Sequence, residues 1–216
     1  MSSDSSANTV VVRTVQTNFI NSDEPVLSET YTRVIGVETA RGLAVCAGLG
    51  EIALNATTQV LAFADADQAD RFVQYFAGTI ARSDTSNRDS RYDADYNCFS
   101  FAQVVAGGMR RLGWESAELW LKQHFLPQPA TPPFALGQQG YLVLPGKTWQ
   151  LPTIRHAVIG LGEDVDTCLS VLGIGGTVAI ATYHALAEYY GVQLDAARGV
   201  VRKLAEYVTN TAKDLR

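Results

Sequence analysis

The sequence predicts a mixed α+β fold. Three observations carry this: an amphipathic helical pattern over residues 66–82, a second helical pattern opening at Cys98, and apolar strands between residues 140 and 180 divided by Pro-Gly and glycine-rich turns. Residues 1–8 are almost all Ser, Asp, Ala and Asn, with little to bury, and are expected to be disordered. Thr9 to Val15 is a β-branched run that predicts a strand, and Tyr31 to Val37 predicts another, with a polar loop from Asn18 to Glu29 between them. Thr39 to Val60 is rich in Ala and Leu, with glycines at 42, 48 and 50; helix and strand stay unseparated there.

The helix from Ala66 to Arg82 carries Ala69, Phe72, Val73, Phe76 and Ile80 on one stripe, with Asp65 as its N-cap and Gln68 three residues on as in a capping box. Ser83 to Asp95 has no apolar periodicity and predicts a solvated loop or a linker. A second amphipathic helix is expected from Cys98 to Leu112, closed by Gly113, and a short one from Glu115 to Phe125. Pro127, Pro129, Pro132 and Pro133 then predict an extended loop.

Strands are expected over Gly140–Gly146, Arg155–Leu161, Thr167–Leu172 and Thr177–Ile180, with Gly173-Ile174-Gly175-Gly176 as a tight turn. Thr182 caps a helix carrying Leu186 and Tyr189, ended by Gly191. A last helix is expected over Leu194–Ala212, with Leu194, Ala197, Val200, Val201, Leu204 and Val208 inward. The organisation expected is an N-terminal extension or subdomain over 1–85, a core over 86–192 and a C-terminal helix over 193–216.

With 216 residues, 47% apolar and 18% charged, the chain is long enough for a substantial core. A net charge of −5 with no Lys/Arg cluster argues against nucleic acid as a partner. No apolar run has the length of a membrane span. The polar N-terminus lacks the basic and apolar regions of a secretory signal, so the expected location is cytoplasmic, with non-classical export as the other route.

The three cysteines at wide spacing form neither a disulfide framework nor a zinc pattern, and Cys46, in an apolar run, reads as a small buried hydrophobe. His184 and Glu188 are an i, i+4 pair with no third ligand nearby, and His124 is expected on a helix or at its end. The glycines at 173–176 lack the Lys-Ser/Thr of a phosphate loop, and the Asp-rich segment 89–95 lacks the glycine and glutamate of a calcium loop. No cofactor or metal is implied.

Cys98 is the residue with the most chemistry. It stands where a polar run gives way to a helical pattern, so the helix dipole and free N–H groups would favour its thiolate. His156 follows 58 residues later on an apolar strand.

Asn97-Cys98-Phe99-Ser100-Phe101, the strand Gly140-Tyr141-Leu142-Val143-Leu144-Pro145-Gly146, and Arg155-His156-Ala157-Val158-Ile159-Gly160-Leu161-Gly162 together resemble the NlpC-type branch of the papain-like cysteine peptidases and the related CHAP amidases. The resemblance covers roughly residues 90–192. It implies a papain-like fold, helices on a small antiparallel sheet, and a cysteine-dependent peptidase or amidase acting through an acyl-enzyme. Cys98 would be the nucleophile and His156 the base. Tyr96 would be a wall or second oxyanion donor, beside the N–H of Cys98.

The family places a polar residue that orients the imidazole on the strand after the histidine. Here alternation puts Asp166, Cys168 and Ser170 on one face of that strand. Ser170 and Asp166 are the candidates, and Cys168 a further one. The implied substrate is a peptide or amide, cell-wall peptide being usual for this family. An acyl transferase using the same thiol, and a non-catalytic binding or scaffolding domain that keeps the fold, are the alternatives.

Overall fold

The computed structural model describes residues 7–18, 30–39, 44–46, 56–83, 96–108, 119–121, 123–124, 127–144, 153–173, 178–190 and 206–210. Ten described strands form one sheet: β1 (Thr9–Asn18), β2 (Thr30–Thr39), β3 (Ala44–Cys46), β4 (Thr57–Ala62), β5 (Pro127–Pro129), β6 (Gln139–Leu144), β7 (Thr153–Gly160), β8 (Thr167–Val171), β9 (Val178–Thr182) and β10 (Glu206–Asn210). Their order is β4-β1-β2-β9-β8-β7-β6-β10-β5, with β3 paired to β2, and every pairing is antiparallel. The helices are α1 (Ala66–Ser83), α2 (Cys98–Val105) and α3 (Tyr183–Tyr190), and residues 119–121 and 123–124 are also helical.

The mixed α+β class is what the sequence predicts, but the sheet is large rather than small. The N-terminal strands join it: β1 pairs with β2, and β2 pairs with β9. Alternation explains this. Val10, Val12 and Thr14 of β1 are fully buried while Val11 and Arg13 face outward.

The sheet is covered on both faces. Val10, Val12, Val34, Leu169, Val171, Val178 and Ile180 pack with Phe72 and Phe76 of α1 and with Phe99 and Phe101 of α2. Val158, Cys168, Ala179 and Ala181 face the other way and pack with Tyr183, Ala185 and Leu186 of α3 and with Tyr31 and Phe134.

α1 matches its expected span within one residue. Its start is fixed by the Asp65 carboxylate, which accepts from the N–H of Gln68 at 2.7 Å, while the Gln68 side chain accepts from the N–H of Ala64 at 3.0 Å. α3 is capped as expected by Thr182 Oγ1, which accepts from the N–H of Ala185 at 3.1 Å.

Several expectations are corrected. α2 ends at Val105 rather than Leu112, because Gly107 and Gly108 follow, and Gly108 has φ +64°, outside the right-handed helix. The first part of the proline segment, Pro127–Pro129, enters the sheet as β5, while Pro132 and Pro133 lie outside any strand; proline's fixed φ suits a sheet edge, where its missing N–H is not needed.

The C-terminal helix is overturned at its end. Residues 206–210 form β10 between β5 and β6. The Glu-Tyr-Val-Thr-Asn run is rich in β-formers, and the Tyr207 hydroxyl is fixed by the carbonyl of Tyr183 at 2.7 Å. In the ambiguous stretch before residue 60, the described parts are strand β3 and the first part of β4. Asn8 is held rather than loose, its amide donating to the carbonyl of Phe63 at 2.7 Å. The expectations for residues 1–6, 19–29, 84–95 and 191–205, for the Gly113 cap and for burial of Cys46 lie outside the described residues and side chains. Among the described residues, no helix is long and apolar enough to cross a membrane.

Candidate active site

Cys98 opens α2. Asn97 is the N-cap, with extended backbone, and its side-chain oxygen accepts from the N–H of Ser100 at 2.8 Å. The Asn97 carbonyl accepts from Phe101 N–H at 2.9 Å and from the Tyr75 hydroxyl of α1 at 3.2 Å. The first-turn N–H groups of Cys98 and Phe99 both point at the thiol. A third amide, that of Ala157 on β7, also points at the thiol.

Ala157 belongs to a gap in the sheet. β7 and β8 are paired only at Ile159↔Leu169 and Gly160↔Cys168. Beyond that, the backbone edge of Ala157 that would pair with β8 is taken by side chains. Its N–H faces the Cys98 thiol, and its carbonyl accepts from the Ser170 hydroxyl at 2.9 Å. α2 packs against both strands at this place.

Ser170 also contacts His156, with its Oγ 2.6 Å from Nε2. A hydroxyl has one proton, and Ser170 gives it to the Ala157 carbonyl, so Nε2 must carry the proton of the second hydrogen bond. Nδ1 is then the basic nitrogen, and this buried atom has no hydrogen-bond partner. The imidazole is stacked on the ring of Tyr190, the last residue of α3, at 3.9 Å between centroids and 10° between planes. Cys98 lies within electrostatic reach of the Tyr190 and Tyr141 phenols.

Cys98 and His156 both meet the surroundings of Ala157, the thiol at its N–H and the imidazole through Ser170 at its carbonyl, but no hydrogen bond joins them. By alternation His156 shares the sheet face of Val158, which packs with the α3 cluster, whereas Cys98 packs with Ala157 and Ile159. Both residues are almost fully buried, at 3% and 1% exposure. Burial pushes the Cys98 thiol up to about 12, against the opposing pull of the three amides, and pushes His156 down to about 3. The thiolate expected from the helix start is therefore not the resting form: desolvation outweighs the helix dipole. The site rests as thiol and neutral imidazole.

The other candidates sort cleanly. Ser170 is the candidate that meets His156. Asp166 is exposed, precedes β8, and accepts through its backbone carbonyl from Tyr183 N–H at 3.4 Å; its charge bears on Cys168 and Tyr183. Cys168 faces the α3 side and donates to the Ala181 carbonyl at 3.5 Å.

Tyr96 is buried with its ring edge-on to Tyr75 at 5.2 Å and its hydroxyl over Gly78 of α1, where any side chain would collide with it. It anchors the approach to α2. His124 is exposed, with Nδ1 3.0 Å from the Trp120 carbonyl, and His184 is 3.4 Å from Glu188 on the surface of α3.

Sequence reasoning missed three contributors. The cap Asn97 was legible from its place three residues before Ser100. The Ala157 amide and the Tyr190 ring leave no signal in the sequence, since both depend on where β8 and α3 fall. The sequence matches no protein-family model, no curated protein and no solved structure.

Proposed function

We propose that the protein is a cysteine-dependent amide hydrolase, a peptidase or amidase, with Cys98 as nucleophile and His156 as base. The observation that carries this reading is the state of His156: its Nε2–H is fixed on Ser170, which also binds the carbonyl of Ala157, the residue whose N–H meets the thiol, while Nδ1, the free base, is buried and unpartnered. A buried unpartnered nitrogen costs stability. In the reaction, the Cys98 proton passes to Nδ1, and sulfur attacks the carbonyl carbon of the substrate. The N–H of Cys98 holds the oxyanion, the protonated imidazole releases the amine, and water then hydrolyses the thioester. Capture by an amine instead of water would make the same site a transferase. Sulfur and Nδ1 are not hydrogen-bonded at rest, so the first step requires them to close on each other as substrate enters.

A second reading, a non-catalytic binding domain, is favoured by the burial of both residues and the missing Cys98–His156 hydrogen bond. Iodoacetamide labelling with peptide mapping separates the two. The hydrolase alkylates at Cys98 faster than at Cys168, and His156→Ala slows Cys98 alone. Equal rates at the two thiols, unchanged by His156→Ala, would mean the non-catalytic domain.

A further inference from the structure

Among the described residues the His156 ring has two contacts, and the reading above uses only one of them. Nε2 is on Ser170 and one ring face lies on Tyr190, while Nδ1 is buried without a partner. That contact differs from the aromatic packing around it. Phe134–Tyr183, Tyr183–Tyr207 and Tyr189–Tyr190 are edge-on, with planes 86°, 86° and 85° apart. Edge-on or offset pairs with centroids of about 4.5–7 Å are the usual preference. The imidazole and Tyr190 are instead nearly parallel and closer, at 3.9 Å.

Such a face-on contact does two things that ordinary core packing does not. It blocks rotation about the Cβ–Cγ bond, so Nδ1 stays aimed in one direction. It also presents the negative face of the phenol ring to the imidazole, an arrangement that favours a cation there. The local chain fixes Tyr190 in place. Ser170 of β8 pairs with Ala179 of β9, β9 runs directly into the Thr182 cap, and α3 carries Tyr190 at its far end. The two residues that hold the imidazole thus come from one continuous β8–β9–α3 unit.

We propose that Tyr190 is a positioning residue for His156, keeping the ring plane fixed and stabilising the imidazolium that forms when Nδ1 takes the thiol proton. This rests on the hydrolase reading. The step balances: the S–H bond breaks, its electron pair stays on sulfur as thiolate, and the proton forms the N–H bond at Nδ1. Among the described residues, the groups recorded against this imidazole are the Ser170 hydroxyl and the Tyr190 ring.

The test joins a spectroscopic readout to a chemical one. In the full chain with carbon-13-labelled histidine, the Hε1 resonance of His156, assigned by its loss in His156→Ala, is shifted upfield by the Tyr190 ring current. Tyr190→Phe retains that shift and alkylates Cys98 with iodoacetamide within about twofold of the parent rate, because the ring face is kept. Tyr190→Leu loses the shift and slows Cys98 alkylation about tenfold.

An unshifted Hε1 resonance in the parent protein overturns the proposal, and this holds even if Tyr190→Leu does not fold. So does a Tyr190→Leu protein that alkylates as fast as the parent. Failure of the hydrolase reading looks different: there the parent Cys98 is no faster than Cys168 to begin with.

Discussion

Two buried cysteines, Cys98 and Cys168, sit on opposite faces of one sheet, and burial raises the thiol of each. Their backbone surroundings are opposite. Cys98 is met by the amides of Ala157, Phe99 and its own residue, all of which lower its pKa. Cys168 donates to a carbonyl and has the Asp166 charge nearby, which raises it further. A thiolate at 98 would find donors, and one at 168 would find a carbonyl oxygen and a carboxylate. Burial alone does not assign a role to a cysteine; the polarity of the peptide groups around it does. Those groups point inward as N–H at Cys98 because a helix starts there and two strands part there.

The strongest way to break this contrast is at Cys98 itself. If the proposed hydrolase chemistry holds, Cys98→Ala should abolish acyl-enzyme formation, with a loss on the order of 10³-fold or more in turnover of an amide substrate. Intact-mass detection of the acyl adduct checks this, and Cys168→Ala should leave the adduct in place.

The next effect is on acid stability. His156 titrates near 6.5 when unfolded and is lowered to about 3 in the fold, so between those values the unfolded chain binds a proton that the folded one refuses. Stability contributed by the neutral imidazole is present above 6.5 and is lost as pH falls toward 3, at about 1.4 kcal/mol per pH unit. Denaturant midpoints from pH 7 to 4 should show this slope, and His156→Gln should remove it. Cys98 gives the opposite sign in alkali: its folded value of about 12 lies above the ordinary 9.0, so stability falls as pH rises past 9.

Ser170→Ala strands the Nε2–H and the Ala157 carbonyl together. It should cost about 1–3 kcal/mol by chemical denaturation and slow Cys98 alkylation, without touching Cys168. Asn97→Ala, which removes the acceptor of the Ser100 N–H at the start of α2, should cost about 1 kcal/mol. The smallest effect on the Cys98 site is expected from Cys168→Ala, at about 1 kcal/mol of stability and no change in Cys98 reactivity. A Cys168→Ala protein with altered Cys98 labelling would erase the distinction between the two thiols.

Much of the core was legible from local pattern. α1 and its cap, the Thr182 cap, and the strands carrying His156 and Ser170 follow from periodicity and short-range hydrogen bonding, which residues three or four apart decide among themselves. The alternation Asp166, Cys168, Ser170 narrowed the orienting residue to three. Choosing Ser170 needed the depth at which β8 leaves β7, which no local pattern encodes.

The misses share one cause. Val208 fits the inward stripe of a helix as well as it fits a strand, and only the open edge of β6 settles the matter in favour of β10. The proline run reads as a loop until β10 offers it a partner. Tyr190 meets His156 across 34 residues of chain through a helix whose direction is set by packing.

The parting of β7 from β8 has a dynamic consequence. In an ordinary ladder the Ala157 amide would be sheltered from solvent by a neighbouring strand, and its hydrogen exchange would report opening of the sheet. Here its shelter is the first turn of α2, held down by a sulfur contact that is weaker than a peptide hydrogen bond. Ala157 should therefore exchange with the lifting of a single helical turn while Ile159 and Leu169, paired to each other, remain protected. Its deuteration rate is a clock for the motion that would admit a substrate.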